Sequence, residues 1–72
     1  MDEINHPSHY TQGAIECIDA IEAALSKEEY IGFLRGQIIK YAWRLNLKDT
    51  PLKNVGKTAF YLARLQEKVS GR

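Results

Sequence analysis

The sequence predicts an all-α protein: three helices preceded by an extended N-terminal arm. Three observations carry this. Apolar residues recur at three- and four-residue steps along most of the chain beyond residue 13. Two helix starts are written as capping patterns, Ser26 with Glu29 and Thr50 with Pro51. Residues 1–13 show neither a helical nor a strand period and contain Pro7 and Gly13. The organisation is then an arm over 1–13 and one three-helix domain over 14–72.

In the arm, Pro7 has no amide hydrogen and biases Asn5-His6 toward extended backbone. The first helix is expected over about Ala14–Leu25, where Ile15, Ile18, Ile21 and Leu25 share one side. Glu16 and Asp19 neighbour each other on the opposite face, near the helix's positive end. Cys17 between them reads as a small buried residue. The second helix is expected from Lys27 to about Leu47, burying Ile31, Leu34, Ile38, Ala42 and Leu45, with Ile39 and Trp43 widening the stripe. Gly36 inside it implies close approach of a neighbouring backbone or a ligand. The third helix, about Leu52–Val69, carries a coiled-coil-like seam of Leu52, Val55, Ala59, Leu62, Leu65 and Val69.

Composition narrows the function classes. In a chain of 72 residues one core supplies only about 3–5 kcal/mol, so oligomerisation or very good helix packing is needed. The single cysteine excludes an internal disulfide, and two histidines with one thiol make a poor metal set, so no metal site is expected. A net charge of +1 argues against bulk nucleic-acid binding. No apolar stretch approaches the roughly 20 residues of a membrane span. No basic segment followed by an apolar one opens the chain, and a cytoplasmic location is expected. Charge is nonetheless polarised: residues 1–29 hold seven acids and Lys27, residues 30–72 nine bases with Asp49 and Glu67. An acidic front folding onto a basic back accounts for this, as do plain solvated faces.

Three clusters could carry chemistry. His6-Pro7-Ser8-His9-Tyr10-Thr11 offers imidazoles and hydroxyls to phosphate oxygens and a ring to a base, or is a polar arm that bonds backbone. Lys40 and Arg44, with Lys53, Lys57 and Arg64 of the third helix, could hold a polyphosphate, form a solvated face, or pair with the first helix's acids. Glu16 and Asp19 are hydroxyl acceptors, metal ligands, an acid/base pair, or ordinary surface. Trp43 could stack on a base but fits a core position better. No Walker-type loop, nucleophile triad pattern or paired C-x-x-C is present, so any catalysis needs a noncanonical site.

Read together, the blocks His6-Pro7-Ser8-His9-Tyr10, Ile15-Glu16-Cys17-Ile18-Asp19-Ala20, Ile39-Lys40-Tyr41-Ala42-Trp43-Arg44 and Lys57 through Leu65 resemble a small phage-borne domain family of formally unknown function, often labelled nucleotide kinase. The resemblance runs from His6 to about Leu65. It implies a nucleotide pocket among His6, Ser8, His9, Tyr10, Glu16, Asp19, Lys40, Tyr41, Arg44, Tyr61 and Arg64. In that pocket His6, His9, Lys40 and Arg44 hold phosphates, Tyr10 stacks on a base, and Glu16 or Asp19 accepts from sugar or base. Gln37 stands where a smaller amide is expected, and the kinase of this family carries additional chain.

The function expected is therefore a phage-type homo-oligomer acting in the infected host's cytoplasm. It binds nucleotides or cyclic nucleotides in pockets between subunits and sequesters nucleotides or the second messengers of host defence. The alternatives are a P-loop-less deoxynucleoside monophosphate kinase, the one case that brings in magnesium, and a non-catalytic helical interaction module.

Overall fold

The computed structural model describes residues 11–12 and 15–71. Its elements are β1 (Thr11–Gln12), β2 (Ile15–Glu16), α1 (Cys17–Ala24), α2 (Lys27–Trp43) and α3 (Pro51–Val69). The fold class is all-α: the two strands are one antiparallel pair, with Thr11 opposite Glu16 and Gln12 opposite Ile15. The rest of the expected arm lies outside the described residues. The pairing shortens the first helix relative to expectation. Ile15 and Glu16 are extended, Glu16 takes the cap position at φ −88° and ψ 159°, and α1 begins only at Cys17.

Both capping patterns form. Ser26 Oγ accepts from the Glu29 amide at 3.1 Å, and Glu29 Oε1 accepts from the Ser26 amide at 2.8 Å. Thr50 Oγ1 accepts from the Lys53 amide at 3.2 Å, with Pro51 at the first helical position, where no donor is missed.

α2 stops at Trp43, four residues short of the expected Leu47. The chain then turns, the Leu47 amide donating to Arg44 O at 2.9 Å, and reaches Asp49 at φ 59°. A left-handed residue suits Asp better than most, because its short polar side chain bonds locally. Asn54 makes this corner possible. It is fully buried, and its Nδ2 donates to the carbonyls of Arg44 (3.2 Å), Leu45 (3.1 Å) and Lys48 (2.6 Å). Carbonyls that would go unsatisfied beyond a helix end thus find a donor on the next helix.

α2 and α3 form an antiparallel hairpin: Arg44 meets Asn54, Tyr41 meets Tyr61, and Lys68 lies over Tyr30. The hairpin seam differs from the expected stripe. Tyr30, Leu34 and Tyr41 are the buried large hydrophobic residues among those described. Leu34 was expected inside; Tyr30 and Tyr41 belong to a face one step round from Ile31, Ile38 and Ala42. Ile39 and Trp43 are 60% and 79% exposed, and Ala42 and Cys17 are also exposed, correcting four core assignments. The third helix's apolar seam faces outward as well, with Leu52, Val55, Leu62 and Val69 all at least half exposed. A Cβ added to Gly36 would meet nothing within 4 Å, so no close approach within the chain requires that glycine.

Candidate cation–aromatic site

α2 carries Lys40, Tyr41 and Arg44 within five residues, and α3 brings Lys57 and Tyr61 against them. Tyr41 is nearly buried and lies parallel to Tyr61, ring centroids 5.9 Å apart at 6°. Phe33 meets Tyr61 edge-on at 6.2 Å and stacks toward Tyr30 at 6.2 Å, extending an aromatic row along the hairpin. Three cations surround the Tyr41 ring: Arg44 at 4.7 Å, Lys40 at 5.0 Å and Lys57 at 5.1 Å from its centroid. They come from both helices, so folding of the hairpin is what assembles them.

Arg44 is the fixed member. Its Nε donates to Asn54 Oδ1 at 3.2 Å and its Nη2 to Asp49 Oδ2 at 2.9 Å. Asp49 is the one carboxylate within ion-pair distance of this trio among the described residues. The ring's negative face offsets part of the remaining charge, about 0.5–1 kcal/mol per cation at exposed sites. Three cations grouped within roughly a Debye length of one another still attract an anion. Chemically, the arrangement can take a phosphate on a forked guanidinium with two mobile ammonium groups around it.

The other predicted residues divide between two places. Asp19 and Arg64 come together at the far end of the hairpin, where Arg64 Nη1 donates to Asp19 Oδ1 at 3.1 Å. Glu22 lies 3.8 Å from Arg64 and 2.6 Å from Lys68. Here the acidic front does fold onto the basic back. Burial pulls the Arg64 guanidinium pKa down, but the Asp19 hydrogen bond, the nearby Tyr30 hydroxyl and the Asp19 charge outweigh it and raise it overall. That hydroxyl is buried close to Arg64 without meeting hydrogen-bond geometry. Glu16 sits exposed at the start of α1. His6, Ser8, His9 and Tyr10 lie outside the described residues.

The basic stripe read from the sequence is thus two sites. Arg64, joined by Lys68 from outside that stripe, is paired with α1, whereas Lys40, Arg44 and Lys57 converge on Tyr41. Sequence reasoning missed Asn54, the residue that orients Arg44. A signal was present: asparagine is a poor helix former, and here it stands one turn inside a helix that Thr50 and Pro51 start. Among the described residues no three His, Cys, Asp or Glu side chains are placed to hold a metal ion, and no helix is long and apolar enough to cross a membrane.

Fold and site together define a small helical-hairpin protein with a cation–aromatic face. A family model described as a protein of unknown function, DUF3310, matches residues 4–63, and the chain belongs to that family. No curated protein and no solved structure matches it.

Proposed function

We propose that this chain is a phage-type, self-associating nucleotide-binding protein whose α2/α3 hairpin holds the ligand's phosphates on Lys40, Arg44 and Lys57. The observation that carries this reading is the grouping of those three cations within 4.7–5.1 Å of one ring centroid, against one carboxylate. A solvated basic face needs no such convergence, because ammonium groups on long stems separate freely in water. Tyr41 is covered by its own helices, so its role is to seat the cations. Tyr61, half-buried beside it, is the ring nearer to a ligand. Asp19 and Arg64 fasten α1 to the hairpin and are structural in this reading.

Sequestration fits better than turnover. A bound phosphate here is held by charge, and the described residues supply no lid to exclude water from a transferring phosphoryl group. The test is native mass spectrometry of the purified chain with a mixed pool of nucleotides and cyclic nucleotides. The expected result is unaltered ligand at a fixed ratio per oligomer. New phosphorylated products would make the protein a kinase, and an oligomer that takes no ligand would make it an interaction module.

A further inference from the structure

Two residues apart on an α-helix means about 200° apart around its axis. Lys40 and Ala42, Lys57 and Ala59, and Leu62 and Arg64 are each such pairs. The hairpin therefore has two faces. One carries the cations and α1's ion pairs; the other is a groove of about 340 Å³ lined by Ala42, Leu45, Val55, Thr58, Ala59 and Leu62. Thr58 is the one polar member, and its hydroxyl is already satisfied, donating to Asn54 O at 2.8 Å. Nothing in the groove calls for water.

We infer that a second copy of this chain docks in that groove, so that self-association uses the face opposite the cations and leaves them open to ligand. The occupant follows from the core. Among the described residues, three large hydrophobic residues and one asparagine are buried, a thin core for a small domain, and domains of this size commonly gain the rest by oligomerisation. Meanwhile Leu52, Val55, Leu62 and Val69, at 52–82% exposed, line or flank the groove along α3. A monomer seldom leaves so continuous an apolar strip to water. Burial that a fold depends on must be available whenever the chain folds, and a second copy of the chain brings the same apolar face at that moment. Two hairpins placed groove to groove make a four-helix arrangement with a twofold axis, in which each Leu62 and Ala59 lies near its own counterpart. This rests on the self-association proposed above but departs from the expectation that pockets form between subunits.

Sedimentation and cross-linking test it together. The wild-type chain should be a dimer or a larger even assembly, and Leu62→Glu, which puts an unpaired charge in the contact, should weaken association by roughly a hundredfold or more. Should that variant fail to fold, Ala59→Cys in a Cys17→Ser background decides: it should form a disulfide-linked dimer on oxidation, while Lys57→Cys should not. The linked Ala59→Cys dimer should bind inorganic pyrophosphate as its reduced form does. A wild-type monomer at every concentration overturns self-association and this inference with it. A wild-type oligomer with no Ala59→Cys link, or with Leu62→Glu associating normally, overturns the groove alone. Lost pyrophosphate binding in the linked dimer places the ligand between subunits and overturns the separation of faces.

Discussion

Replacing Asn54 tests the central joint of the fold, because one buried amide serves both the corner and the site. In Asn54→Ala the carbonyls of Leu45 and Lys48 lose the one donor that the described residues give them, while Arg44 O keeps the Leu47 amide at 2.9 Å. Arg44 Nε also loses its acceptor. Each buried acceptor left bare costs about 1–3 kcal/mol, and water reaching the exposed Lys48 end relieves part of that. The expected loss is about 2–4 kcal/mol, comparable with the whole stability of a domain this small. Asn54→Asp separates the two roles. It keeps an oxygen, now charged, for Arg44 but turns it toward three carbonyls with no hydrogen to give. If donation is what matters, Asn54→Asp is as destabilised as Asn54→Ala or worse, despite the new ion pair. The assay is urea unfolding followed by helical circular dichroism at fixed chain concentration, since any association adds to apparent stability. An Asn54→Asp chain as stable as wild type would falsify the argument. So would Asn54→Ala within about 0.5 kcal/mol of wild type.

Four further outcomes are expected. Asp49→Gly should be nearly neutral for the backbone, since φ is 59°, while Asp49→Ala should cost about 1–2 kcal/mol more, both measured by urea unfolding. Ser26→Ala removes one half of the capping box directly and should cost about 1 kcal/mol, with the loss of order read as hydrogen exchange in the first turn of α2. Arg64→Ala should cost no more than about 1 kcal/mol, because Asp19 is half exposed, and that cost should shrink in high salt. Since the Arg64 pKa is raised, its contribution is complete below the unfolded guanidinium value and disappears only in strong alkali, so a melt series over about pH 6–9 should show no dependence from it. Lys40→Ala and Lys57→Ala should each weaken pyrophosphate binding by roughly three- to tenfold while helicity stays unchanged, and unchanged affinity in both would remove the phosphate assignment.

What could be read in advance was what is local in sequence. Ser26, Glu29, Thr50 and Pro51 act on groups three or four residues away, so their patterns located the starts of α2 and α3 without knowledge of packing. The helix ends set by distant partners were not legible. Residues 15–16 are extended because Thr11–Gln12 pair with them, and α2 ends at Trp43, beyond which Asn54 Nδ2 donates to the carbonyls of Arg44, Leu45 and Lys48. Lys40, Tyr41, Arg44 and Tyr61 were named from their motif blocks and do come together. The sequence placed Lys57 and Arg64 with them alike; which of the two joins Tyr41 and which turns to Asp19 was not legible, because that depends on which side of the hairpin α1 covers.

The largest difference concerns hydrophobic periodicity, and its direction is informative. Leu52, Val55, Ala59, Leu62 and Val69 form the cleanest three-and-four pattern in the chain, yet α3 meets α2 through Asn54, Tyr61 and Lys68, with Thr58 and Leu65 half-buried at the same helical spacing. Periodicity reports that a helix face is kept from water, and it is silent on whether the cover comes from the same chain. The intrachain seam is instead rich in groups with directional demands: stacked tyrosines, a buried amide and an arginine that bonds it. Such groups cost desolvation and return a defined geometry, which suits a surface that must hold Arg44 at a set angle to Tyr41. The apolar face has no such demand and suits a contact that supplies burial. Division of labour between the two faces accounts for both misread patterns at once. The strong apolar stripe stands outside a single chain, and the polar stripe lies at its centre.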